Sequence, residues 1–271
     1  MVGREVLLNI QREHVEPGET ILEVDHIWST GEREKSKLRD VSFSVRAGEI
    51  VGIAGVDGNG QKELCEVLTG LRPSSGGRIL LDDQDISGRD PAFYIEQHIS
   101  HIPEDRHTTG LAMNWSLKNN LILKQLGREP VSRHHLVQKK VVEEIWNKAH
   151  SEYQIKAISG DDLARALSGG NQQKVILARE INSDPRVLIA NQPTRGLDVG
   201  AAEYVRTKIL EARNSGTSCL LVSADMEELL QLSDRIAVIY GGQLMGILPR
   251  GADPMAIGRL MMGKREQEVG A

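Results

Sequence analysis

The stretch from Glu49 to Leu68 constrains the fold more than any other part of the chain. Glu49–Ala54 is a short apolar run that reads as a buried strand. It enters the glycine-rich loop Gly55-Val56-Asp57-Gly58-Asn59-Gly60, and Gln61–Leu68 then reads as a helix. Two earlier stretches, Ile21–Ile27 and Val41–Val45, are β-like. Val187–Ala190, Ser218–Val222 and Ile236–Tyr240 are further buried-strand candidates. Amphipathic helices are expected over Asn171–Ile181, Ala201–Arg213 and Met226–Gln231. Strands alternating with helices imply an α/β fold with a mostly parallel sheet covered on both faces. Between about Asn114 and Ala166 the strand signal vanishes, and residues 138–150 read as a charged amphipathic helix. A helical lobe inserted in the α/β core is the expectation. At 271 residues and 39% hydrophobic content, the chain can form one large domain, or a core with a smaller lobe.

Charge and composition remove several function classes. With 33 basic and 38 acidic residues the net charge is −5, which argues against nucleic-acid binding and for an ordinary soluble surface. Cys65 and Cys219 each sit in an apolar stretch without a C-x-x-C pairing. They read as core residues of a reducing compartment. No apolar run approaches a membrane span, and no signal-peptide pattern opens the chain. Any service to a membrane would run through partner subunits.

The strand–loop–helix succession is the layout of a phosphate-binding P-loop, G-x-x-x-x-G-K-[ST]. Gly55, Gly58 and Gly60 preserve a scaffold in which backbone N–H groups turn toward a phosphate at a helix N-terminus. The charged part departs from the pattern. Gln61 occupies the lysine position, Lys62 the Mg²⁺-binding serine position, and Glu63 the next. A carboxamide donates a hydrogen bond but supplies no charge. A unit charge pair ~4 Å apart at an effective dielectric of about 20 interacts by roughly 4 kcal/mol. Lys62 is displaced from the Gln61 face by ~100°, the turn of one helical residue.

Two more motifs follow. Leu167-Ser168-Gly169-Gly170-Asn171-Gln172-Gln173-Lys174 precedes a helix, whose N-terminal N–H groups together with the Ser168 hydroxyl can hold an anion. Seventeen positions after Lys174, the strand Val187–Ala190 runs into Asn191-Gln192-Pro193-Thr194-Arg195-Gly196-Leu197-Asp198. Together these resemble the signature motif L-S-G-G-Q/N-Q and the segment D-E-P-T-x-G-L-D of ATP-binding-cassette (ABC) domains of transporters. The resemblance runs from Ile21 to Met262 with each landmark in order. It is nearest to the C-terminal cassette of tandem ATP-binding subunits in simple-sugar and nucleoside importers. The segments Gly55–Gln61, Pro103-Glu104-Asp105-Arg106 and Gln192–Ala201 resemble the nucleoside branch more.

The resemblance implies a P-loop cassette with an antiparallel β subdomain and the inserted helical lobe. It makes Asn191 the replacement of an Mg²⁺-holding aspartate and Gln192 that of the catalytic glutamate. Carboxamides are not general bases, and they bind a hard cation more weakly than carboxylates. Glu104 falls at the glutamine of the Q-loop, Ala224 at a γ-phosphate-sensing histidine, and Asp198 keeps the aspartate of the D-loop. Trp28 is a candidate for stacking on adenine, or an ordinary sheet-edge aromatic. The losses strike charge, metal and water chemistry, while the glycines and the signature survive.

The expectation is a domain that binds ATP weakly at its own loop and hydrolyses little or none. Ser168 and Gly170 would complete the ATP site of a partner cassette, where Mg²⁺ is bound. That partner would be an N-terminal cassette of the same polypeptide or a second subunit. Permease subunits would contact the Glu104 region and the helical lobe on the cytoplasmic face, with an extracellular substrate-binding protein involved indirectly. Residues 1–20 read as the tail of a preceding cassette and a linker, which should pack little on the core. The similarity of Met1-Val2-Gly3-Arg4-Glu5 to Met262-Gly263-Lys264-Arg265-Glu266 supports a tandem duplication or is coincidence. The cassette would span 21–262, with the lobe at about 114–166 and a tail at 263–271. The rival readings are a soluble ABC ATPase outside transport, which would be expected to carry coiled-coil or basic insertions, and a scaffold that does not use nucleotide.

Overall fold

The computed structural model describes Glu13, residues 15–30 and residues 37–264. The chain divides into two compact units, each treated separately. The first comprises the described residues up to His101, Pro185–Gln192 and those from Ile209 onward. The second comprises Ile102–Asp184 and Pro193–Lys208.

The strands in chain order are β1 (Thr20–Ser29), β2 (Leu38–Arg46), β3 (Ile50–Ala54), β4 (Gly76–Leu81), β5 (Gln84–Asp85) and β6 (Ile99–Ile102). They continue with β7 (Ser132–Arg133), β8 (Leu136–Val137), β9 (Val187–Asn191), β10 (Ser218–Val222), β11 (Arg235–Tyr240) and β12 (Gln243–Pro249). The helices are α1 (Gln61–Leu68), α2 (Pro91–Glu96), α3 (Leu117–Ile122), α4 (Lys139–Glu152), α5 (Gly169–Ile181), α6 (Val199–Asn214), α7 (Met226–Leu232) and α8 (Pro254–Met261).

A six-stranded sheet in the order β12-β11-β3-β10-β9-β6 forms the centre of the first unit. β3 pairs in parallel with both β10 and β11, and β10 in parallel with β9. Every residue of β3, β9 and β10 is buried, as strands covered on both faces must be. β12 closes one edge antiparallel to β11. A second, four-stranded antiparallel sheet has the order β2-β1-β4-β5. Its inward residues Leu22, Val24, Phe43 and Ile79 join Val51, Ile53, Leu64 and Leu220 in one hydrophobic core. The mostly parallel core sheet and the antiparallel subdomain are therefore both present.

The second unit is mainly helical, built on α3, α4 and α5. Ile122, Val131 and Val142 form a small apolar cluster within it. Its interior also holds charge. Lys124 Nζ lies 2.5 Å from Glu180 Oε2, and Arg179 Nε lies 2.8 Å from Glu180 Oε1, with Glu180 fully buried. Arg179 also donates to the carbonyl of Gly110 at 2.8 Å.

Three expectations are revised. The strandless stretch contains the hairpin β7–β8, whose turn residues His134 and His135 both have positive φ, at 50° and 64°. Strands of two residues are too short to leave a periodic signal. The helix expected over 138–150 is α4, which runs on to Glu152. The segment expected to pack little is tied down where it is described. Gly18 N–H donates to Ala47, Ala47 N–H donates to Glu19, and buried Arg213 donates to the carbonyls of Glu13 and Val15. Both Met1–Glu5 and the tail from Arg265 lie outside the described residues.

Candidate functional site

In the first unit the fully buried β3 delivers the chain into the glycine loop, and Gly60 ends it with φ 111° before α1 begins. A Cβ at Gly55 would fall 2.5 Å from Gln61 Nε2 and 2.8 Å from the Ile239 carbonyl, so only glycine fits there. Gln61 is buried, and its side chain reaches back across the loop. Nε2 donates to the Val56 carbonyl at 3.1 Å, and Oε1 accepts from Asn59 N–H at 3.1 Å. Asn59 adds Nδ2 to the same carbonyl at 2.7 Å and accepts from Gly241 N–H at 2.8 Å. The loop is thus closed by carboxamides bonded to its own backbone, and one of its N–H groups is spent on Gln61.

Lys62 does not compensate. Its side chain is 51% exposed, and its ammonium lies 3.9 Å from Glu66 one helical turn on. Asp57 and Gly58 are exposed at the loop apex, where Asp57 adds a negative charge to the loop. Glu63 is buried, at 3% exposure.

Asn191 ends β9 and is buried. Gln192 follows with φ 50°, and its Oε1 accepts from Ala224 N–H at 3.1 Å. The preceding residue, Ser223, donates to Glu228 at 2.6 Å and accepts from Asp225 N–H at 3.1 Å. Residues 191, 192 and 224 are therefore brought together as the sequence implied, but without a carboxylate or imidazole among them. Among the described residues no group of three or more His, Cys, Asp and Glu side chains is placed to hold a metal. At the loop the donors are the Gln61 carboxamide, already bonded to Val56 and Asn59, and the Lys62 ammonium, a cation; neither suits an Mg²⁺ ion. Trp28 is 46% exposed and its ring lies beside Gly76 on β4, which leaves both readings of it open.

In the second unit Ser168 is exposed and precedes α5 with an extended backbone. It makes no capping hydrogen bond to the helix; its Oγ instead accepts from Asn171 Nδ2 at 2.9 Å. Asn171 Oδ1 accepts from Lys156 N–H at 2.8 Å. The N-terminal N–H groups of α5 are therefore left without the usual side-chain partner, as an anion site requires. Gln172 is buried and holds the turn from below, donating to the carbonyls of Ala164 and Leu167 and meeting His107 Nε2 at 3.0 Å. A Cβ at Gly170 would sit 3.2 Å from Ala201 and 4.0 Å from Asp198 Oδ2. Asp198 itself accepts from Ala201 N–H at 2.9 Å, so it also caps α6.

The sequence placed Glu104 at a Q-loop position but gave no role to Arg195, Arg106 and Asp105, which lock this region. Arg195 forms an ion pair with Glu104. Arg106 donates to the Arg195 carbonyl at 3.0 Å and passes within 3.9 Å of a Cβ position on Gly169. Gln173 donates to the Pro193 carbonyl at 2.8 Å. Asp105 caps the turn Arg106–Gly110, and hydrogen bonds from Thr108 first, then from the His107 N–H, hold its carboxyl below the usual range. Lys174 sits below the ordinary lysine range, first through partial burial and then through Lys156 nearby. Its ammonium lies over the Tyr204 ring at 4.6 Å.

Comparison with known proteins shows the family and the fold. The family profile described as "ABC transporter" matches residues 38–195. The chain is 44% identical over its whole length to the guanosine import ATP-binding protein NupO of Bacillus subtilis, covering 53% of that protein. It is 39% identical to the nucleoside import ATP-binding protein NupA of Lactococcus lactis, over 97% of the chain and 52% of the relative. Against the glucose import ATP-binding protein TsgD13 of Haloferax volcanii identity is 42%, over 97% and 48%. The chain spans about half the length of these curated relatives. Among solved structures, a nucleotide-free ATP-binding cassette from an ABC transporter superposes with a TM-score of 0.73 at 23% identity, over 87% of this chain and 96% of that one.

Proposed function

The chain belongs to the ABC transporter family, and we propose that it is a cassette of a nucleoside or simple-sugar importer that lends its signature to a partner's ATP site while its own site is degenerate. The observation that carries this reading is the contrast between two loops. In one, Gln61 takes up a loop N–H that would hold a phosphate, and Asn191, Gln192 and Ala224 offer no base, no carboxylate for a metal and no imidazole. In the other, Ser168 leaves the start of α5 uncapped, supported by Asn171 and Gln172 beneath it.

The importer assignment is supported by the printed functions of the nucleoside and glucose relatives. A match to about half of each relative fits a protein with two cassette-sized parts, of which this chain would be one. ATP would then lie between a partner's intact loop and the α5 terminus. There this chain's part is to direct Ser168 and the N–H groups of Gly169 and Gly170 at the terminal phosphate. Mg²⁺ would be held by the partner. Permease subunits would be the membrane partners, with the cassette on the cytoplasmic face.

The test uses the assembled importer. Ser168→Arg should abolish substrate uptake and ATP hydrolysis, since it places bulk at the anion site, whereas Gln61→Ala should leave both near wild type. Removal of one anion-stabilising donor typically costs ~10²–10³-fold in rate, so the outcomes separate cleanly. Equal losses from the two substitutions would show two equivalent sites and overturn the asymmetric reading.

A further inference from the structure

The first unit holds a cavity of about 340 Å³ that no nucleotide chemistry accounts for. It is lined by Arg46 at the end of β2, Glu49 just before β3, Arg213 on α6, Asp234 and Arg235 at the start of β11, and Arg250 just after β12. Its floor therefore lies at the N-terminal end of β3, whereas the glycine loop leaves the C-terminal end. Five strand residues at ~3.3 Å each put roughly 16 Å between them. The volume falls within the range of small-molecule pockets, about 300–1,000 Å³.

The charges are arranged in two tiers. The acids of the floor are saturated. Glu49 accepts from Arg235 Nε at 2.6 Å, from a second Arg235 nitrogen at 3.1 Å and from Arg46 N–H at 2.9 Å. Asp234 accepts from Arg213 at 3.2 Å and from Ile50 N–H at 2.8 Å. Carboxylates so engaged present little bare negative charge to a ligand. At the exposed tier, the guanidinium groups of Arg46 and Arg250 have no partner among the described residues. Arg213 is 1% exposed, and its Nε–H likewise has no hydrogen-bond partner among the described residues. The lining carries four arginines against three carboxylates, Glu16 included, on a chain whose net charge is −5. A local positive excess on an acidic protein, with guanidinium forks left open, is what recognises phosphate or carboxylate.

We infer that this cavity is a binding site for a small dianionic oxyanion, a phosphate group or a dicarboxylate, separate from the nucleotide loop. Val15 and Pro17 form part of its wall, and Arg213 holds the carbonyls of Glu13 and Val15. A bound anion drawing on Arg46 and Arg250 would thus brace the segment that enters the domain. This inference stands apart from the proposed function.

The test is titration calorimetry on the purified chain with inorganic phosphate and, separately, with succinate, at ionic strength held constant with sodium chloride. Saturable one-to-one binding of either anion is expected, with Kd at or below about 1 mM. Stronger phosphate binding assigns a phosphorylated ligand, and stronger succinate binding a dicarboxylate. Arg46→Ala combined with Arg250→Ala should weaken binding about tenfold or more, roughly 1.4 kcal/mol, without lowering the Tm of the anion-free protein. Gly58→Asp puts a carboxylate into the phosphate loop at a position with nothing near its Cβ, though its φ of 83° strains any residue but glycine; in protein shown to keep the wild-type fold by circular dichroism, the binding should persist. No saturable heat with either anion overturns the inference. So does binding that survives the double arginine variant, or that Gly58→Asp removes.

Discussion

The side-chain oxygen of Gln192 accepts a hydrogen bond from the backbone N–H of Ala224 at 3.1 Å, so two residues of the proposed degenerate site are bonded to each other. Restoring one of them does not restore chemistry. Gln192→Glu supplies a carboxylate, but Asn191 stays neutral, Gln61 still spans the loop and Lys62 still faces Glu66. Phosphate release from Mg-ATP by the purified Gln192→Glu variant should remain at background, as for the wild-type chain. Steady hydrolysis by this single variant would show that the loop is competent and that only the base was missing.

ATP affinity should be weak and nearly the same with and without Mg²⁺. The α1 terminus offers N–H groups, but one loop N–H is already bonded to Gln61, and Asp57 adds a negative charge at the apex. Calorimetric titration with ATP, with excess Mg²⁺ or with a chelator, measures this directly. Tight binding that depends on Mg²⁺ would mean that the loop rearranges to recruit a metal.

Lys124 and Glu180 make a prediction about stability. Burial alone pushes the Glu180 carboxyl up, and Lys124 and Arg179 together outweigh it and hold it below the usual glutamate range. Lys124→Met removes one of the two cations and should cost about 3–5 kcal/mol, with Lys124→Met/Glu180→Leu recovering much of it. Between the folded and unfolded values the unfolded chain binds more protons. The contribution is therefore complete above the unfolded value near ~4.3 and is lost as pH falls through the lower folded value. Urea unfolding of both variants from pH 7 down into the acid range checks size and sign. An unchanged midpoint for Lys124→Met would contradict the pairing.

Gly242→Ala should destabilise the first unit by ~2 kcal/mol or more. Its φ is 77°, and an added Cβ would fall 1.5 Å from the Lys37 carbonyl oxygen. Its N–H also donates to the Asn59 carbonyl at 2.9 Å, so the strain would reach the phosphate loop. A Tm equal to wild type would show that the β11–β12 turn moves aside at little cost.

Much of the fold was legible because its core elements are long or wholly apolar. β3, β9 and β10 announce themselves as runs bounded by turn residues, and Cys65 and Cys219 are buried as their surroundings implied. β5 and the β7–β8 hairpin were invisible, since two residues carry no period. In the site, the residues that stand at the family's catalytic positions were readable through the resemblance to ABC cassettes. What each replacement does instead was not. That Gln61 returns to Val56 and Asn59, or that Arg106 reaches the Arg195 carbonyl across 89 positions, depends on chain reversals that spacing does not encode.

The closure of the glycine loop on itself bears on how the protein acquires its fold. The Val56 carbonyl, the Asn59 N–H and the Asn59 carbonyl find partners in Gln61, Asn59 and Gly242 as the chain folds, so this part of the loop does not depend on a nucleotide to become ordered. Folding of the first unit should then reach the same end state, with the same Tm, in ATP-free buffer as with ATP present.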